Sequence, residues 1–139
     1  MTPISDLNLL LRTMEPQLQD GSFVYVMSAG NPDLRDPRVI ASVREAEGLS
    51  LIVEKSFANE NGLQPHFECA WITLNVNSDL AAVGLTAAFA SALGDAKISC
   101  NVVAGLNHDH IFVPVDQAHA ALDMLRALQQ NACHSHAGA

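Results

Sequence analysis

The chain has 139 residues, 49% of them hydrophobic and 16% charged, with 15 Asp and Glu against 7 Lys and Arg for a formal charge of −8. The apolar fraction excludes a disordered chain, and the length suits one compact domain, or two very small ones sharing a core, burying about two-thirds of the unfolded surface. An acidic balance without any basic stripe argues against nucleic acid and anionic membranes as partners.

The elements follow in chain order. Ser5-Asp6 is a plausible capping pair for a short helix through Leu7, Leu9, Leu10 and Leu11 that ends before Pro16. Asp20-Gly21 then turns the chain into a strand, F-V-Y-V-M at 23–27, followed by a polar loop with Gly30, Asn31, Pro32 and Asp33. Arg38 to Glu47 places Val39, Ile40, Val43 and Ala46 at helical spacing with Gly48 at the C-terminus, which predicts a helix. Leu49 to Val53 is the next strand, with Leu49, Leu51 and Val53 on one face.

Asn59 to Pro65 is loop-like and makes the best internal boundary. Beyond it, Ala70, Ile72, Leu74 and Val76 alternate with Trp71, Thr73 and Asn75 as in a half-buried strand. A helix from about Val83 buries Leu85, Phe89 and either Ala92 or Leu93, and Gly94 is expected to end it. Ile98–Ala104 and His110–Val115 are strands joined by Gly105-Leu106-Asn107, a hairpin by its turn residues. Asp116 caps a last helix with the face Ala118, Ala121, Leu122, Leu125 and Leu128.

Each half thus contains a strand-helix-strand unit. Right-handed crossovers lay the helices on one face of the sheet, so the pattern predicts an α+β, ferredoxin-like fold. The expected organisation is a module over 1–65, a second over 66–130, and a loose tail over 131–139.

Three cysteines, Cys69, Cys100 and Cys133, form an odd set without C-x-x-C; two lie in apolar strands, where cysteine is a small buried hydrophobe. No disulfide framework is expected. The start M-T-P-I-S-D lacks the basic and apolar segments of a signal peptide, and no run approaches the ~18 apolar residues of a membrane span, so the expectation is a soluble cytoplasmic protein.

Chemistry is concentrated between Cys69 and Val115. A helix opening directly after a strand presents free backbone N–H groups that can hold a small ligand's carboxylate. Gly84 sits at that start; it either lets the helix pack closely on the sheet or, with Leu85 and Thr86, presents amides to an anion. Asp79 either accepts an α-ammonium group or serves as an N-cap. Asn101 projects opposite Ile98, Cys100 and Val102, where its amide can pair with ligand atoms or with a loop. His108-Asp109-His110 reads either as a polar hairpin turn or as two histidines around a carboxylate for metal or acid–base chemistry. The tail Cys133-His134-Ser135-His136 lacks the surrounding structure a specific metal site needs. Trp71 and Phe112 read as packing residues. There is no G-x-S-x-G, P-loop, H-E-x-x-H or Rossmann fingerprint.

At N-S-D-L-A-A-V-G-L-T-A-A-F-A-S-A-L, I-S-C-N-V-V-A-G and H-D-H-I-F-V-P-V the chain resembles an ACT domain, and as a whole it resembles the small bacterial tandem-ACT proteins that carry no attached enzyme. The first half joins the resemblance through R-E-A-E-G-L-S-L-I-V, residues 44–53. The resemblance implies a regulatory fold that binds an amino acid or similar metabolite between paired modules, without catalysis, cofactor or metal. Its ligand loop maps onto Asn77 to Thr86 and the early polar residue of its second strand onto Asn101. The implied ligand-binding set is therefore Asn77, Ser78, Asp79, Val83, Gly84, Leu85, Thr86, Asn101 and Val102. Homo-oligomerisation is implied as well. Two departures stand out: Val83 replaces the commoner proline, and the C-terminal module lacks a final strand after its second helix, an edge that a strand borrowed from the other half could fill. The alternatives to a sensor are a ligand-free interaction module and a small metal-dependent enzyme built on His108, Asp109 and His110.

Overall fold

A computed structural model describes Pro3 and residues 6–137, with side chains as far as His134. The described chain runs α1 (Leu7–Thr13), β1 (Pro16–Leu18), β2 (Phe23–Ser28), β3 (Val39–Glu45), β4 (Gly48–Glu54), α2 (Lys55–Glu60), β5 (Phe67–Leu74), α3 (Leu85–Asp95), β6 (Asn101–Ala104), β7 (Asp109–Pro114), a 3-10 turn at Val115–Gln117 and α4 (Ala118–Ala137). One seven-stranded sheet has the order β3-β4-β2-β5-β7-β6, with β1 pairing beside β5, and all pairings are antiparallel. The α+β, ferredoxin-like expectation holds.

β5 joins the two halves. Its first residues pair with β2 (Phe23↔Cys69) and its last with β1 (Pro16↔Leu74, Leu18↔Ile72), while β7 runs along its other edge. The N-terminal segment therefore completes the C-terminal module, supplying the strand missing after α4. The larger core lies there: Leu10 of α1 and Met14 just after it, Ile72 and Leu74 of β5, Leu85, Phe89 and Leu93 of α3, and Ala121 and Leu125 of α4. A smaller core beneath α2 packs Phe57 and Ala58 against Val24, Val26, Leu51 and Val53. The sheet's other face carries Phe23, Ile52, Cys69 and Phe112, with the Trp71 and Phe112 rings stacked at 6.2 Å. Burial pushes the Cys69 thiol up to about 12, so it stays protonated and inert.

Several expectations are corrected. Residues 38–47 form strand β3 rather than a helix: Val39 pairs with Val53, Val43 with Ser50 and Glu45 with Gly48. The β-branched Val39, Ile40 and Val43 suit a pleated surface, and helical spacing over so short a stretch does not outweigh a hairpin with β4. Gly48 closes that hairpin at φ +148°, where an added Cβ would lie 2.9 Å from the Ser28 carbonyl oxygen. No helix consequently joins β2 to β4 in the first half; α2 follows β4 instead. Arg38 fastens the loop before β3 to α2, pairing with Asp36 and Glu60 and lying 5.2 Å over the Phe57 ring.

Gly94 does not end α3, which continues to Asp95. Lys97 takes the left-handed conformation (φ 60°), and the Ile98 amide bonds back to the Leu93 carbonyl at 2.9 Å, a Schellman closure sealed by contact between buried Leu93 and Ile98. The strand expected from Ile98 begins only at Asn101. The expected Asp116 cap is replaced by the 3-10 turn that leads into α4. The expected loose tail is helical as far as Ala137. There Gln129 Nε2 donates to the Arg12 carbonyl at 2.9 Å and Ala132 is buried, so α1 gives the last turns something to pack on. At the other end, Asp6 is the N-cap of α1, its Oδ1 accepting from the Leu9 amide at 2.8 Å; Ser5 lies outside the described residues.

Candidate functional site

The site forms where β5 gives way to α3. Alternation carries Leu74 and Val76 into the core, and the chain then loops over the top of the sheet. Asp79 folds this loop on itself: its Oδ1 accepts from the Ala81 amide and its carbonyl from the Ala82 amide, both at 2.9 Å. Asp79 thus organises a turn and does not cap α3. Gly84 holds that position in the left-handed region (φ 105°), and α3 has no side-chain cap. The first helical bond runs from the Ala88 amide to the Gly84 carbonyl at 2.9 Å. The amides of Leu85, Thr86 and Ala87 consequently have no acceptor within the helix.

Leu85 and Thr86 border a cavity of about 320 Å³. Ser78, Asp79, Val83, Gly84, Leu85 and Thr86 line it on the loop side, with Ala104 and Asp109 on the hairpin side. Six of the nine expected residues therefore converge on one space. Asn77 does not line it. Asn101 and Val102 do not line it either: they line a separate cleft of about 360 Å³ with Tyr25, Ser42 and Ile52, and the Asn101 amide reaches the Phe112 carbonyl at 3.4 Å. The reason is topological. Asn101 opens β6 opposite Phe112, whereas the cavity meets the other end of the strand, where Ala104 pairs with Asp109.

Asp109 is the residue that sequence reasoning missed as part of this site. It shares a strand face with Ile111 and Val113, both in the core beneath the helices, so alternation alone would have pointed it inward. It is 7% exposed. Burial pushes its carboxyl above the usual range, partly opposed by His110 and His108. Neither histidine converges on it to build a metal site. The ring of His108 meets the Val76 carbonyl at 3.2 Å, and His110 Nδ1 accepts from the Trp71 indole N–H at 3.0 Å. Burial drives the His110 pKa down, keeping the ring neutral. Among the described residues no group of three His, Cys, Asp or Glu could hold a metal.

A raised carboxyl pKa means that the folded protein holds this proton more tightly than the unfolded chain does. The ionised form therefore weakens the fold at neutral pH, and stability returns as pH falls through the folded-state pKa toward the unfolded one. Asp109→Asn is expected to raise the unliganded melting temperature at pH 7.5, with the gain vanishing near pH 4. A lower midpoint at pH 7.5 would contradict this account.

The apolar rim of the cavity is open: Val83 is 84% exposed and Leu80 61%. Beside it, a Cβ at Gly84 would stand 2.9 Å from Leu7 Cδ2, so α1 presses directly on the loop.

The fold and site together define a pair of ferredoxin-like modules with a small-molecule cavity at a strand-to-helix corner. The chain belongs to the ACT domain family, which matches it twice, over residues 2–70 and 66–127. A Vibrio cholerae protein of unknown function, described as a possible transport protein, is 44% identical and superposes with a TM-score of 0.78 over 88% of this chain and 95% of that one. An Agrobacterium tumefaciens protein shares the fold at 17% identity (TM-score 0.63; 82% and 87% covered), as does the ligand-free regulatory subunit of aspartate kinase from Thermus thermophilus at 12% (0.61; 84% and 97%). No curated protein matches the chain. Family membership supports a small-molecule-binding regulatory role. No helix among the described residues is long and apolar enough to cross a membrane.

Proposed function

We propose that the protein is an amino-acid sensor without chemistry of its own. The observation carrying this reading is the pairing of opposite partners across one cavity: uncapped amides at the start of α3 on one side and buried Asp109 on the other. A free amino acid presents the complementary pair on a single carbon, its carboxylate for the helix N-terminus and its ammonium for the aspartate. Ser78, 9% exposed, supplies a hydroxyl in the wall.

Occupancy orders the 77–84 loop, and because Leu7 bears on Gly84 the change passes to α1 and the packing of the modules. The exposed Leu80 and Val83 at the mouth form the surface a second copy would cover, which supports homo-oligomerisation there. The same patch is what a ligand-free interaction module would use. The description of the Vibrio cholerae relative as a possible transport protein also accords with carriage of a small molecule.

Thermal melting against the twenty amino acids separates these readings. A ligand at about 100 times its Kd adds roughly 2.7 kcal/mol, a shift of several degrees for a chain of this size. At least one amino acid should produce it; silence across the panel would leave the interaction module as the better account.

A further inference from the structure

We infer that the cavity sorts amino acids by charge, accepting neutral and basic ones and rejecting aspartate and glutamate. This rests on the amino-acid reading above and narrows it. The lining contains two carboxylates, Asp79 and Asp109, and neither Lys nor Arg. Its complement to a negative group is the opening turn of α3, which carries about half a positive charge and places Leu85 and Thr86 in the lining. That suffices for one carboxylate and is used up by the α-carboxylate common to every amino acid.

Asp109 makes the restriction sharp. It is 7% exposed, it borders the cavity, and no described donor hydrogen-bonds to its carboxylate. The two nearby histidines are committed elsewhere, His108 to the Val76 carbonyl and His110 to the Trp71 indole. A buried carboxylate in this state gains from any cation brought against it and resists any further anion. Asp79, held by its turn, adds a second carboxylate residue to the same lining. A side-chain carboxylate accommodated within the 320 Å³ cavity meets a lining that includes both aspartates. One like-charge pair at about 6 Å in an effective dielectric of about 20 corresponds to about a hundredfold in affinity, so tenfold discrimination survives considerable screening.

Proton linkage has a definite sign. An ammonium group favours ionised Asp109, so binding releases a proton, and affinity should weaken as pH falls through the raised carboxyl pKa.

The test is calorimetry on the full-length protein with all twenty amino acids, in which the near-isosteric pairs glutamine/glutamate and asparagine/aspartate separate charge from size. The expected result is a neutral or basic ligand bound at least tenfold more tightly than either acidic one, with weakening as pH falls toward the ordinary carboxyl range. Asp109→Asn, whose melting curve serves as the folding control, should reduce that ligand's affinity and narrow the margin over the acidic amino acids. Aspartate or glutamate binding as well as any other ligand would overturn the charge rule and leave the sensor standing. An unchanged margin in Asp109→Asn would overturn it too, while no binding by any amino acid would remove the sensor reading together with the rule.

Discussion

A fragment starting at residue 66 is expected not to fold, although it carries the whole ligand loop and both helices of the C-terminal module. It lacks Leu10 and Met14, each fully buried in the core shared by β5, α3 and α4, and it lacks β1, which covers the edge of β5 from Ile72 to Leu74. Burying those two side chains is worth about 1.5–3 kcal/mol each. The Gln19 amide also bonds to the Trp71 carbonyl at 2.8 Å, and its side chain reaches Thr73 Oγ1 at 2.9 Å. Against a net stability of about 5–15 kcal/mol for a whole domain, these losses leave little or nothing. Circular dichroism of residues 66–137 should show no cooperative melt, and adding a peptide of residues 6–19 should restore one. A cooperative transition near that of the intact chain would refute the role given to α1 and β1.

Phe89→Ala is expected to cost about 3–5 kcal/mol, the range for removing a fully buried aromatic ring. Phe89 lies one turn after Leu85 and one before Leu93, on the stripe by which α3 grips the sheet. The melting midpoint should fall by ten degrees or more. At a temperature where the variant remains folded, amino-acid binding should weaken as well, because the amides at the head of α3 are aimed by the seating of the helix. A fall of only a degree or two would mean that Phe89 is not the anchor of α3.

The strand over Ala70 to Leu74, the helix bearing Leu85, Phe89 and Leu93, and the final helix follow from burial periodicity, since each presents a face long enough to tell a period of 2 from one of 3.6. The corner at Gly84 was legible for the same reason: a strand leading into an uncapped helix is a local arrangement of consecutive residues. Where apolar residues were few, local pattern misled. Val39, Ile40 and Val43 fit a helix as well as a strand until β4 is available to pair, and Lys97 ends a helix without glycine because the contact between Leu93 and Ile98 rewards the turn.

By itself the sequence determined the class of fold, the corner at Gly84 and the amides that open α3, all set by interactions within about a dozen residues. Only the tertiary structure decided that β1 completes a module whose other strands lie over fifty residues away, that Asn101 and Val102 face a different cleft, and that Asp109 stands across from α3. Pairing between distant strands depends on which edges are left open and which side chains fill the shared core, and spacing along the chain does not encode that.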